Sequence, residues 1–280
     1  MKSLPVHFIL LLLAFATGCG ESQYSHEAYK TDQLEFSIIN GKSLENNDPL
    51  AKSVVAIVRS FHISNGEPQF FAHCTGVVIA EDKILTAAHC AENFEKSRII
   101  TGQDTKKSLK NENNIYEIRK AYFQADYKKT TKSESNNLDI AILELKRPLS
   151  EGSEKVFSMT RDNSADELLV IAGYGRVSLN QFDFTALELK KSDYTDFNIV
   201  SDEGLIRIGQ IEKTGLCTGD SGGPLFTQDK NNQLKLVGIA ISVEKFKNAP
   251  QKMNACYGQS VFLDLSLHAD WIKSVLDNSI

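Results

Sequence analysis

The sequence predicts an all-β fold, a barrel or sandwich, followed by one C-terminal helix. Short β-branched and apolar runs recur at 54–58, 75–79, 84–86, 115–118, 140–145, 168–172, 234–241 and 261–265. Bounded runs of about 4–8 such residues read as strands, since successive side chains of a strand point to opposite faces and the inward face must be apolar. Asn, Lys, Ser and Asp crowd together at 102–114, 126–137 and 244–254, which marks loops. Helical periodicity is scarce. Only from about residue 267 do Trp271, Ile272, Val275 and Leu276 recur on one helical face, predicting a helix over about 267–277 that packs this face on the core.

The chain has 280 residues, 41% hydrophobic and 24% charged, enough for one large domain or two small cores. A net charge of -5 gives no electrostatic case for nucleic acid, which would require a clustered basic surface. The pairs Lys106-Lys107 and Lys128-Lys129 read as solvated loop charges. No repeat period stands out.

At the N-terminus a mostly apolar stretch, 6–16, follows Lys2 and leads into Thr17-Gly18-Cys19. It is too short to span a bilayer, which takes about 20 residues, and has the charge, length and small-residue exit of a secretory signal over 1–18. Ala16-Thr17-Gly18-Cys19 resembles a bacterial lipobox, in which the cysteine is acylated and becomes the new N-terminus, although Ala stands where Leu is usual. The cysteine count agrees with this. There are five, Cys19, Cys74, Cys90, Cys217 and Cys256, and exported proteins tend to pair their thiols. Four can pair, and a lipid on Cys19 accounts for the fifth. Residues 19–37 are polar and read as a tether or propeptide. The protein is therefore expected outside the cytoplasm, touching a membrane only through a lipid anchor, or periplasmic or extracellular after processing. No C-x2-C or H-x3-H spacing is present, so neither a metal site nor a cofactor is predicted.

The most specific string is Gly219-Asp220-Ser221-Gly222-Gly223-Pro224. A serine hydroxyl attacks a carbonyl only when a base removes its proton, and the developing oxyanion needs donors aimed at it. Glycines beside the serine let backbone N–H groups turn toward one point. The string also satisfies the G-x-S-x-G pattern of a nucleophile elbow, but an elbow needs a following helix and then an acid and a histidine. Here strand-like 225–227 follows, and the only later histidine, His268, is expected at the surface beside the helix. The better base lies upstream, in Thr86-Ala87-Ala88-His89-Cys90, and the better acid in Asn137-Leu138-Asp139-Ile140-Ala141-Ile142-Leu143.

These three strings, in the order His, Asp, Ser, resemble the motifs of the chymotrypsin-like serine proteases. The resemblance extends over nearly all of the chain from Ile38. Ile38-Ile39-Asn40-Gly41 looks like the family's activated N-terminus, Ala172-Gly173-Tyr174-Gly175 like its turn between barrels, and Leu236-Val237-Gly238-Ile239 like the strand leading to the substrate cleft. It implies a peptidase domain over 38–280, with two antiparallel six-stranded β-barrels at about 38–149 and 150–265 and the C-terminal helix outside. It further implies bridges Cys74–Cys90 and Cys217–Cys256. Other bridges common in animal members are missing, which points to a bacterial secreted or lipoprotein member.

The resemblance also implies roles. Ser221 is the nucleophile, His89 the general base and Asp139 the residue that orients the imidazole, with the N–H groups of Gly219 and Ser221 as oxyanion hole. Asp220 would pair with the α-amino group of Ile38, freed when an activating protease or another copy cuts the zymogen there. Gly215, Val243 and Ser260 would form the specificity pocket. With no acidic group at Gly215, Lys and Arg are disfavoured, and small or medium apolar residues should precede the cut. Partners are protein or peptide substrates. The alternative is a catalytically silent, protease-like binding protein, but such proteins usually replace the serine or histidine, and both are present here.

Overall fold

The computed structural model describes residues 38, 41–45, 48–61, 69–127, 137–150, 168–175, 188–194, 199–202, 204–210, 214–244, 256 and 258–278. The signal, Cys19, the 19–37 tether and most of the loops at 126–137 and 244–254 lie outside the described residues. The strands are β1 (Lys42–Ser43), β2 (Val54–Phe61), β3 (Gln69–Ala80), β4 (Lys83–Thr86), β5 (Ser97–Ile100), β6 (Ile115–Phe123) and β7 (Ala141–Leu145). They continue with β8 (Leu168–Gly173), β9 (Lys190–Tyr194), β10 (Ile199–Asp202), β11 (Leu205–Gly209), β12 (Pro224–Gln228), β13 (Leu234–Glu244) and β14 (Gln259–Asp264). Each run picked out from the sequence falls on one of them, with Ile140 and Leu265 just outside β7 and β14.

The first half closes into an antiparallel barrel in the order β2-β3-β4-β7-β6-β5. Closure leaves no edge to template aggregation, and bulges at Ile57/Val58, Val78/Ala80 and Ile118/Lys120 supply the bends it needs. Along β6 the period of two is plain: Tyr116 and Ile118 are buried, whereas Glu117 and Arg119 face water. The apolar cluster of this barrel continues into Val170, Ala172, Tyr174 and Phe226 of the second half, so the halves share a core where they meet.

The second half differs from the six-stranded barrel implied by the resemblance. Among the described residues it is an eight-stranded sheet, β1-β9-β8-β12-β13-β14-β11-β10. The additions are at its ends. Strand β10 folds back on β11, and two-residue β1 pairs with β9 through Lys42↔Lys191. Although β1 lies within the span assigned to the first barrel, it joins the second sheet because Ile38, just before it, is buried in that sheet's core with Ile171, Ile208, Leu225 and Phe262.

Two further expectations change. The 102–114 segment holds a one-turn helix, Thr105–Ser108, whose first turn is capped by Asp104 accepting the Lys107 N–H at 3.1 Å. His268, expected at the surface, is only 5% exposed, and its apolar neighbour Leu267 is 67% exposed. A 3-10 turn, Leu265–His268, precedes the helix Ala269–Leu276 and rotates the histidine inward. Burial then holds that imidazole below its ordinary pKa, against the pull of Asp264. The helix itself buries Ile272 and Val275 as its spacing predicts.

Candidate active site

Strands β4 and β7 are neighbours, paired through Thr86↔Ala141, and each delivers one polar side chain from the same end. Just past β4, the one-turn helix Ala88–Ala91 presents His89, and a disulfide from Cys90 to Cys74 on β3, with Cα atoms 6.0 Å apart, ties that turn down. Just before β7 stands Asp139. Its Oδ1 accepts the His89 backbone N–H at 2.9 Å and its Oδ2 lies 2.7 Å from Nδ1 of the ring. One carboxylate thus fixes both the backbone and the imidazole. Because Nδ1–H donates to it, Nε2 is left as the basic nitrogen. The acid side chain is 12% exposed and the imidazole 37%, so the carboxylate is sheltered while the base stays open to the cleft.

Tyr127 lies within electrostatic reach of Asp139. Its hydroxyl donates to Glu92 Oε1 at 3.1 Å, and burial together with the Asp139 and Glu92 carboxylates pushes the phenol pKa up, keeping it neutral beside the acid.

Ser221 lies in the loop before β12 and lines one pocket with His89, Cys217, Gly219 and Val243. Among the described residues no hydrogen bond joins its hydroxyl to the imidazole, a contact that often tightens only in the substrate complex. The loop is held by Thr75 of β3, in the first barrel. The Thr75 N–H donates to the Ser221 carbonyl at 2.8 Å, and the Thr75 hydroxyl donates to the Gly219 carbonyl at 3.0 Å. The same hydroxyl accepts the Tyr174 N–H at 3.0 Å, and Thr86 donates to the Thr75 carbonyl at 2.8 Å. Gly219 adopts φ +100, which favours glycine. Among the described residues neither the Gly219 nor the Ser221 N–H donates to a protein acceptor, so both are available to an oxyanion.

Thr75 was not singled out from the sequence; a hydroxyl inside an apolar run was the available signal. Replacing it by the isosteric valine leaves a buried carbonyl and a buried N–H unsatisfied. We expect Thr75→Val to lose ~1–3 kcal/mol in denaturant unfolding and kcat to fall about 10–100-fold as the loop shifts, with Thr75→Ser close to wild type. A valine variant with unchanged kcat would mean that Thr75 does not position the loop.

Beneath the serine, Asp220 is fully buried. Its Oδ1 accepts the Gly175 N–H at 2.8 Å, and its Oδ2 accepts the N–H groups of Cys217 at 2.9 Å and Ile38 at 3.3 Å. Burial pushes the carboxyl up to about 7, although these three bonds oppose the rise. A Cβ on Gly173 would lie 2.2 Å from Oδ1, and one on Gly175 would lie 2.7 Å from both oxygens. The carboxylate occupies the space that side chains there would need, which accounts for the Gly-Tyr-Gly turn.

The second disulfide joins Cys217 to Cys256, with Cα atoms 4.8 Å apart. Of the three residues expected in the specificity pocket, Val243 lines the cleft, whereas Gly215 and Ser260 are buried and do not line it. Cys74, His89 and Cys90 bring potential metal donors within 4.8 Å of one another, but both sulfurs are spent in the disulfide.

A two-barrel fold with a carboxylate-held imidazole and a serine on a glycine turn in one pocket defines the class of serine-dependent peptidases. The Trypsin family model matches residues 52–272, and the chain belongs to that family, with a serine endopeptidase domain over this span. It is 28% identical over 233 residues to CLIP domain-containing serine protease B4 of Anopheles gambiae, covering 73% of this chain and 62% of that protein. It therefore spans less than two thirds of that relative's length. Thrombin-like enzyme halystase of Gloydius blomhoffii is 27% identical over 218 residues, covering 72% of this chain and 84% of the other. Among solved structures, mouse neuropsin, a serine protease expressed in the limbic system, matches with a TM-score of 0.60 at 20% identity. That match covers 85% of this chain and 99% of the other, and it supports the fold. Both curated relatives are animal proteases, which lends no support to membership in a bacterial lipoprotein branch.

Proposed function

We propose that the mature protein is an exported endopeptidase cleaving after small or medium apolar residues through Ser221, His89 and Asp139. The observation that carries this reading is the Asp139 carboxylate bonded to both the ring and the backbone of His89, in a pocket that Ser221 also lines. Ser221 Oγ adds to the scissile carbonyl while His89 Nε2 takes its proton. The oxyanion that forms is met by the N–H groups of Gly219 and Ser221. His89 then gives its proton to the leaving amine, and water repeats the sequence to release the acyl group. Val243 narrows the cleft, and Gly215 brings no charge to it.

In the same reading the protein is a zymogen cut between Ser37 and Ile38. Ile38 is buried with its nitrogen on Asp220, yet it holds φ +28, a strained value for a β-branched residue whose amide still carries the preceding carbonyl. Cutting there removes that carbonyl and turns an N–H into an ammonium group facing the carboxylate. The 1–18 signal, an acylated Cys19 and the 19–37 tether complete the proposal of a bacterial lipoprotein whose domain is freed by the cut. Its support is the lipobox-like string and the pairing of the other four cysteines within the domain, which leaves no bridge to the tether.

The test is a serine-directed fluorophosphonate on processed protein. One label per chain is expected at Ser221, absent from Ser221→Ala, whereas a silent binding protein would not label. The N-terminus and membrane partition of the two proteins report processing. Wild-type protein fully active while still beginning at Cys19 would refute the activation scheme, and a Ser221→Ala protein cut at Ile38 would remove self-processing alone.

A further inference from the structure

We infer that Gln210 fills the space behind the cleft and keeps the specificity pocket a short, neutral site for small uncharged side chains. This rests on the endopeptidase reading above and names the residue that sets its substrate class. Gln210 follows β11, ahead of the nucleophile loop, and is buried. Its Oε1 accepts the Gly258 N–H at 2.9 Å, and its Nε2 donates to the Leu216 carbonyl at 2.9 Å and to Ser260 Oγ at 3.1 Å. Ser260 Oγ in turn accepts the Leu216 N–H at 3.1 Å. Both amide hydrogens are spent, and the amide is pinned to the nucleophile loop on one side and to the β14 segment on the other.

The amide also fills space. A Cβ on Gly215 would lie 2.3 Å from Cγ and Nε2 of Gln210 and 2.5 Å from its Cδ. The position from which residue 215 would reach a substrate is therefore taken by the side chain of the residue that follows β11. The cleft agrees, since Leu216, Cys217, Val243 and Cys256 line it while Gly215, Ser260 and Gln210 do not.

Two consequences follow for a substrate side chain entering between Val243 and Leu216. A Lys or Arg would bury its charge against a neutral amide already engaged with Gly258, Leu216 and Ser260, which is strongly unfavourable. A large aromatic ring would have to displace Gln210 and leave its three partners unsatisfied. Alanine- or valine-sized groups need neither.

The experiment measures kcat/KM of the processed wild-type enzyme, Gln210→Ala and Gln210→Glu on peptides differing only in Ala, Val, Phe or Lys before the bond. Fluorophosphonate labelling runs alongside as the readout of the triad. Wild type should favour Ala and Val over Phe and Lys by about 10-fold or more. Gln210→Ala should raise Phe relative to Ala by about 10-fold, because the space behind the cleft is opened. Gln210→Glu, which keeps the shape and the Gly258 contact, should raise Lys relative to Ala by a similar factor, because the new carboxylate lacks a cation. A wild type that prefers Phe or Lys overturns the inference whether or not the variants fold. Variants that label normally and keep the wild-type ranking also overturn it, leaving the endopeptidase reading intact. A wild type that neither labels nor cleaves ends that reading and this inference together.

Discussion

Ser221→Ala is expected to lower kcat about a million-fold, and His89→Ala to do so to a similar degree. KM should change little in either. The hydroxyl and the imidazole act on the bond being made and on the proton in flight, so their loss falls on the transition state and spares substrate binding. The double variant should be hardly slower than either single one, because neither group has a role once the other is gone. Residual catalysis of about 10^3–10^4-fold over water should survive in all three, supplied by the Gly219 and Ser221 N–H groups and by substrate positioning. Steady-state kinetics on enzyme freed of wild-type contamination decides it. A double variant whose losses multiply would show that the two residues do not work as one unit, and the triad assignment would fall.

Asp220→Asn is expected to have the second-largest effect, about 10^3-fold in kcat with a loss of a few kcal/mol in stability. The carboxylate accepts three buried N–H groups, two on Oδ2 and one on Oδ1. An asparagine must turn its NH2 toward one side, where donor then meets donor. The backbone that carries both oxyanion donors moves with it. The carboxylate also makes stability depend on pH in the uncut chain. Burial raises the carboxyl to about 7, above its ordinary value, so the folded chain holds a proton that the unfolded chain releases. That contribution to stability is complete below about pH 4 and is lost as pH rises through about 7. Cleavage before Ile38 places an ammonium group on the carboxylate, which favours the charged form and cancels the loss. Thermal unfolding of Ser221→Ala protein from about pH 5 to 8 should therefore show the uncut chain losing stability and the cut chain keeping it. Parallel curves would mean that the Ile38 nitrogen does not govern Asp220.

What the sequence determined by itself was the type of fold and the chemical groups. Period-two runs such as Tyr116 and Ile118 on β6 mark strands because their burial is decided locally, by alternation. The Ser, His and Asp strings were legible because each is a contiguous set of residues with one chemical use. Strands β1, β5, β9, β10 and β11 were not picked out. Strand β9 reads Lys-Lys-Ser-Asp-Tyr, with no apolar alternation, and becomes a strand only because β8 offers it a ladder.

The tertiary structure alone decided which further residues serve the site. Thr75 of the first barrel holds the serine loop of the second, and Gln210 takes the space at Gly215. It turned His268 inward and Leu267 outward, the reverse of what their polarity predicts. None of these has a local signature. A hydrogen bond or a filled volume depends on which segments the fold brings side by side, whereas the period of a strand and the chemistry of a motif are carried by neighbours in the chain.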